Sequence, residues 1–375
     1  MAPQKPEVWD SKTQTFHGGQ EHRFIDNFLE DFSVTTNYLG TPKAALEAAR
    51  EAMGDIHHYP AANQEPAKTS LAQFLWGDTY AEHHPRLLLG NGASELIDLV
   101  VRRSLKEWAD RGVLQPTWKG GPWNVQYREY QRSSETNGYT ILDPHAEERA
   151  HMVCIVNPCN PTGEYFDQPT LQQWLADNVQ AGGTIIVDES MQPWHSKDFR
   201  HDSLISAHAF MQKMWQEHQV SVYVMHSWTK IWSCTGLRVG SVICPTGEHC
   251  EALRKIQVPW SVNGPALKFV ETVVQDDAYL EETWRETTRL RAFLVDQLQA
   301  LNPSWVSHGK PFLSWVWLDM QDEETASKAI DLARAAGVPV RSGKPGYNCP
   351  TFVRVAVRKE PEMAHLLQAW KSLSA

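Results

Sequence analysis

No stretch of the 375-residue chain approaches the roughly 20 consecutive apolar residues that a membrane span requires. Its first ten residues, MAPQKPEVWD, hold no apolar core of signal-peptide length. The expectation is a cytoplasmic protein with no membrane partner. Positive charge is in deficit as well, with 35 Lys and Arg against 45 Asp and Glu and a formal charge of −10. The phosphate contacts that drive nucleic-acid affinity therefore have no basic surface to come from. The six cysteines (Cys154, Cys159, Cys234, Cys244, Cys250 and Cys349) form no CxxC and have no paired histidine spacing. That argues against a zinc site and for reduced thiols. No GxGxxG follows the first strand-like run, which disfavours a dinucleotide-binding dehydrogenase. Internal repeats and low-complexity linkers are missing too.

What is present is enough apolar residue, 42% of the chain, to bury a sizeable core, in a length that suits one large domain with a smaller companion. Sixteen tryptophans are scattered, as at Trp76, Trp108, Trp118, Trp123, Trp174 and Trp194, and read as packing residues. Strand-like runs alternate with amphipathic helical stretches through the middle of the chain, the pattern of a mainly parallel, helix-covered sheet. Four of these runs end in polar clusters: residues 86–89 before Gly90-Asn91-Gly92, 152–156 before Asn157-Pro158, 184–187 before Asp188, and 220–225 before His226-Ser227. Helices are expected over 94–111, closing near Gly112, and over 170–180, stopped by Gly182-Gly183. After Pro265 the texture changes to long helical periodicity, then strands near 312–318 and 351–357 around a helix over 324–336. The expected fold is thus α/β, with a large domain over residues 55–275 and a smaller α+β domain from 1–54 and 276–375.

Ligands of open α/β sheets bind at the carboxyl ends of strands, and the polar clusters there are chemically specific. Lys230 lies in HSWTKIWSCTGLRVG among small hydroxyl residues, where a desolvated amine can serve as nucleophile and later as base. Arg238, eight residues on, suits bidentate phosphate binding, with Ser227 and Thr229 as further donors. The turn Gly90-Asn91-Gly92-Ala93-Ser94 opens a helix whose free N–H groups favour an anion. Alone it is as well explained by an ordinary strand-to-helix turn. Asp188, after the run TIIV, can partner a ring nitrogen, though an N-cap aspartate is the plain alternative. Asn157-Pro158-Cys159-Asn160-Pro161-Thr162-Gly163 makes a rigid turn in which Asn160 can offer an amide N–H. A lysine amine, an acid for a pyridine nitrogen, a phosphate cup and an amide donor are what pyridoxal 5′-phosphate (PLP) requires of a protein.

The order NPxNPTG, then VDE, then SxTK with an arginine eight residues beyond the lysine resembles the fold type I aminotransferases, class I/II. Similarity extends over nearly everything from His17 onward. Within that superfamily it is nearest the branch of histidinol-phosphate aminotransferases and, more closely, L-threonine O-3-phosphate decarboxylases. The branch-specific pieces are His17-Gly18-Gly19, Asp31-Phe32-Ser33 with Asn37, Tyr59-Pro60, residues 258–263, Arg341-Ser342 and residues 354–358. The resemblance implies Lys230 as the Schiff-base lysine and Ala93, Ser94, Asn160, Asp188, Ser227, Thr229 and Arg238 as cofactor ligands. It also implies a homodimer in which Tyr59 reaches the neighbouring subunit's PLP phosphate. Arg354 would hold the substrate's α-carboxylate, and Arg341 with His17 a distal phosphate or other anion. An arginine in FVRVAVR is otherwise an edge-strand surface residue.

Three positions depart from the pattern. Met191 stands where many aminotransferases carry tyrosine, Asn124 aligns with the usual ring-stacking aromatic, and Thr35 replaces an asparagine near the decarboxylase substrate. Trp123 and Tyr127 are the candidates to cover the ring. The expected function is decarboxylation of a small amino acid with a distal anion. Transamination with a 2-oxo acid acceptor is the alternative, and a non-catalytic PLP-binding protein a remote third.

Overall fold

The computed structural model describes residues 17–374. Its core is a seven-stranded sheet of β1 (Leu87–Asn91), β2 (Thr117–Gly120), β3 (Thr140–Ile141), β4 (Ala150–Val156), β5 (Val179–Asp188), β6 (Ser221–His226) and β7 (Val239–Ile243). Their order is β1-β7-β6-β5-β4-β2-β3. The pairs from β3 through β6 are parallel, and β7 alone runs antiparallel to both of its neighbours. Parallel strands are covered on both faces and therefore read as continuous apolar runs. Every residue of β6, and the last six of β5, are buried. This is the α/β architecture expected from the sequence.

The topology matters for chemistry. β1, β4, β5 and β6 all end at one edge of the sheet, and β7, reversed, begins there. The register Asn91↔Val239 places the start of β7 against the end of β1, while Val156↔Asp188 and Asp188↔Met225 align the ends of β4, β5 and β6.

One local expectation fails. The helix preceding β5 ends at Asn178, and Gly182-Gly183 lie within β5 rather than stopping the helix. The ladder between β4 and β5 shifts register between Ala150 and Met152, opposite this stretch, and Gly182 has φ +74°. Gly182 serves this bulge in the ladder, which needs the same left-handed freedom as a helix stop.

The chain divides into two compact units. One comprises the described residues up to Tyr38, Pro161–Gly163 and Arg285 onward; the other comprises Leu39–Asn160 and Glu164–Trp284, with the seven-stranded sheet. The first unit holds an antiparallel sheet of β8 (Val306–His308), β9 (Trp315–Asp319), β10 (Arg341–Ser342) and β11 (Phe352–Ala356), in the order β10-β11-β9-β8. Its core packs Phe32, Leu294, Trp305, Leu318, Val355 and Trp370. The indole of Trp370, fully buried, donates to the Ala329 carbonyl at 2.8 Å. Among the described residues no helix is long and apolar enough to cross a membrane.

Candidate active site

Within the unit carrying the large sheet, the residues expected to bind a cofactor gather at the strand-end edge. Lys230 follows β6 by four residues, and its Nζ donates to Ser227 Oγ at 3.1 Å and Thr229 Oγ1 at 3.2 Å. These two hydroxyls lie 2.9 Å apart. The lysine loop rests on an aromatic stack, His226 on Trp228 at 4.8 Å and Trp228 on Trp232 at 5.1 Å. Trp228 Nε1 donates to Ser241 Oγ on β7. Trp228 and Trp232, both buried, are thus packing residues beneath the lysine loop.

Asp188 closes β5 with its carboxylate buried. Oδ1 accepts the Ser190 N–H at 2.8 Å, and its carbonyl accepts the Asn157 N–H at 2.9 Å. Burial pushes this carboxyl above the usual range; Ser190, Tyr130 and the charge of Lys230 oppose the rise. The Tyr130 hydroxyl is buried and faces Asp188 without meeting hydrogen-bond geometry. Next to Asp188, Glu189 is fully buried and pushed up to about 7 by burial, although it accepts from the Ser203 hydroxyl and the Leu204 N–H. His226 Nε2 lies 3.8 Å from it, and burial pushes that imidazole down to about 3.

The turn after β4 is locked from within. Asn157 exchanges two hydrogen bonds with Phe166, both 2.8 Å, and the Cys159 N–H reaches the Glu164 carbonyl. Asn160 thereby stands beyond the strand end next to Asp188. Asn124, exposed, bonds to His145 at 2.9 Å. Trp123 is buried instead, donating from Nε1 to the carbonyl of Val156, the register partner of Asp188.

Arg238 and the Gly92-Ala93-Ser94 turn meet because β7 begins where β1 ends. Gly92, at φ +72°, opens the helix Gly92–Asp110, and a Cβ there would strike Nη2 and Cζ of Arg238. Gly240 is also needed, since a Cβ on it would collide with the Ala93 N and the Gly92 carbonyl carbon. A guanidinium laid across a helix N-terminus is a built anion cradle. It fits the phosphate of PLP, and the buried Asp188 and hydroxyl-held Lys230 fit the ring nitrogen and aldehyde.

The four residues expected at the substrate belong to the other unit. Arg341 and Arg354 are direct cross-strand partners on β10 and β11 and both are buried. β11 lies between β10 and β9, so Arg354 is not on an edge strand, as the plain reading of FVRVAVR would have it. Arg354 Nη2 donates to the Ser33 carbonyl at 2.5 Å, and Ser33 Oγ accepts the Gly19 N–H at 2.9 Å, bringing His17-Gly18-Gly19 to the same place. Thr35 is buried, its carbonyl taking the Ser314 hydroxyl at 3.0 Å. Tyr59, in the large-sheet unit, is 79% exposed and stacks on Trp260 at 4.3 Å. Sequence reasoning missed Glu189, Ser190, Tyr130 and Gly240; of these only Glu189 and Ser190 carried a signal, their place beside Asp188.

Residues 29–369 match the family model described as aminotransferase class I and II. Histidinol-phosphate aminotransferase 2 of Pseudomonas aeruginosa is 27% identical over 89% of this chain and 86% of its own. Among solved structures, histidinol-phosphate aminotransferase from Sinorhizobium meliloti in complex with pyridoxal-5′-phosphate superposes with TM-score 0.73 at 17% identity, covering 92% of this chain and 90% of that one. L-threonine-O-3-phosphate decarboxylase from Porphyromonas gingivalis gives TM-score 0.73 at 15% identity, covering 92% and 99%. With its fold, its strand-end lysine and aspartate and its family match in agreement, this chain belongs to the class I and II aminotransferases and is a PLP-dependent enzyme.

Proposed function

We propose that the enzyme transfers an amino group from a donor carrying a distal phosphate or comparable anion to a 2-oxo acid. The observation that carries the cofactor reading is the Lys230 amine held by two hydroxyls near buried Asp188. When bound, PLP supplies an electron-accepting ring. Asp188 would hold a proton on the ring nitrogen. Arg238, the Ala93 and Ser94 N–H groups and the hydroxyls of Ser94, Ser227 and Thr229 would take the phosphate, and Asn160 would donate to the phenolic oxygen. Trp123 would cover the ring in place of Asn124. Lys230 would bind the cofactor and carry the proton removed from the donor's α-carbon.

Arg354 takes a carboxylate, and Arg341 with His17 the distal anion, while Thr35 lines their surroundings. Like charges directly opposite one another on a ladder are destabilising, and burial lowers the Arg341 pKa further from its usual value. Such a pair makes sense where anions are to be bound.

Transfer is placed ahead of decarboxylation, the reverse of the order expected from the sequence. Support comes from a relative that aligns along most of both chains and is itself named an aminotransferase. The decarboxylase neighbour supports only a shared fold. A homodimer in the cytoplasm completes the proposal. Met53, Ile56, Tyr59, Ile256, Val258 and Trp260 are exposed large apolar side chains, of which Tyr59 and Trp260 stack on each other, and a second copy would cover them and bring Tyr59 to its phosphate.

The test is mass spectrometry of PLP-loaded protein given histidinol phosphate or L-threonine O-3-phosphate, with and without 2-oxoglutarate. Carbonyl product and glutamate formed only with the oxo acid support transfer. An amine lighter by CO₂, formed without it, returns decarboxylation to first place, and activity that survives Lys230→Ala overturns both.

A further inference from the structure

Asp188 and Lys230 must hold one small planar cofactor from two different strands, within roughly 0.5 Å of the productive geometry. The ladder between β5 and β6 fixes them only as far as Asp188↔Met225. Beyond that pair β5 ends, while β6 runs one residue further, to His226 paired with Ser241 of β7, and hydrogen bonds outside the ladder bridge the two chains. The Glu189 N–H reaches the Met225 carbonyl at 2.9 Å. Ser190 supplies the next link, and its hydrogen bonds run from one functional group towards the other. Its N–H donates to Asp188 Oδ1 at 2.8 Å, while its Oγ accepts the N–H of Ser227 at 2.7 Å. Ser227 Oγ in turn accepts from Lys230 Nζ at 3.1 Å and meets Thr229 Oγ1, the second acceptor of that amine.

We propose that Ser190 is a positioning residue that couples the Asp188 carboxylate to the hydroxyl clamp on Lys230. This rests on the cofactor-site reading above. The chain Asp188–Ser190–Ser227–Lys230 is continuous, and Ser190 itself is buried. Both its N–H and its hydroxyl favour the charged carboxylate, against the burial that pushes the Asp188 pKa up. Tyr130, Glu189 and Lys230 are the titratable groups around it. Removing the hydroxyl therefore weakens Asp188 as a partner for the ring nitrogen's proton and takes away the acceptor that fixes Ser227. A ring that holds its proton less firmly withdraws fewer electrons, so the group linked to Lys230 becomes more basic.

The experiment is a pH titration of the visible absorbance of PLP-loaded protein, with PLP affinity measured alongside, for wild type, Ser190→Ala, Ser190→Thr and Asp188→Asn with and without Ser190→Ala. Loss of one hydrogen bond corresponds to about a three- to tenfold weaker Kd for PLP in Ser190→Ala. The absorbance midpoint should rise in Ser190→Ala, return in Ser190→Thr, and respond less to Ser190→Ala once Asp188 is asparagine. A turn residue of purely structural importance would lower thermal stability without moving the midpoint. An unchanged midpoint and affinity in Ser190→Ala, or a loss that Ser190→Thr leaves unrestored, overturns the proposal. Should Ser190→Ala not fold, Ser190→Cys is read by the same criteria. If wild type takes up no PLP, the cofactor-site reading falls and this one with it; if wild type titrates and Ser190→Ala matches it, the positioning role alone falls.

Discussion

Replacing Gly92 by alanine should weaken PLP binding although it removes no side chain from the site. Gly92 has φ +72°, and the added methyl would strike the Arg238 guanidinium. Two costs follow. The left-handed backbone costs an alanine roughly 1–2 kcal/mol, which appears as lost stability of the protein without cofactor. The guanidinium must also move away from the helix N-terminus, giving up charge-assisted hydrogen bonds to the phosphate worth about 1.5–3 kcal/mol. At about 1.4 kcal/mol per factor of ten, the Kd for PLP rises about 10- to 150-fold. Equilibrium titration of apo-protein with PLP reads the second cost, and a thermal melt without PLP reads the first. Arg238→Ala should weaken binding to a similar extent, and the double variant only a little more, since both changes remove one contact. A Gly92→Ala protein that is less stable yet binds PLP within about twofold of wild type would refute the cradle.

Three further predictions address other parts of the account. Burial holds Glu189 up to about 7 against 4.5 for an unfolded glutamate. The stability of its neutral form is therefore complete below the lower value and lost as pH rises through the higher one, about 3 kcal/mol in all. Urea unfolding across that window should show a flatter pH dependence for Glu189→Gln; an unaltered slope would contradict the buried neutral acid. Arg341→Ala should raise KM for a donor with a distal anion by about 10- to 100-fold, leave KM for an acceptor without one nearly unchanged, and not lower thermal stability, because it relieves the opposition to Arg354. Val258→Glu, which puts a charge at one of these exposed apolar positions, should convert a dimer to monomers by light scattering and weaken PLP binding; persistence of the dimer would place the interface elsewhere.

Much of the candidate cofactor site was legible because several of its residues follow the end of a strand that announces itself by composition. The apolar runs of β4, β5 and β6 are buried on both faces, so their ends, and hence Asn160, Asp188 and Lys230, can be read directly. Arg238 was legible as an eight-residue offset, but its meeting with Gly92 depends on β7 pairing with β1, a long-range fact that no local pattern encodes. The glycines at 182–183 misled for a related reason. A positive φ serves a helix stop and a β-bulge equally well, and only the register shift opposite Ala150–Met152 distinguishes them. The alternative reading of Arg354 as an edge-strand surface residue stayed open because sheet order is invisible in sequence; β10 lies on one side of its strand and β9 on the other. Ser190 was passed over because the bridge it makes between two strand ends exists only in the folded chain.

The most direct test of the central claim is borohydride reduction of the PLP-loaded protein followed by peptide mass mapping. The account predicts the reduced cofactor covalently attached to the peptide that contains Lys230 and to no other lysine, with the label lost in Lys230→Ala. Label on another lysine, or none on a protein that has taken up PLP, would contradict it.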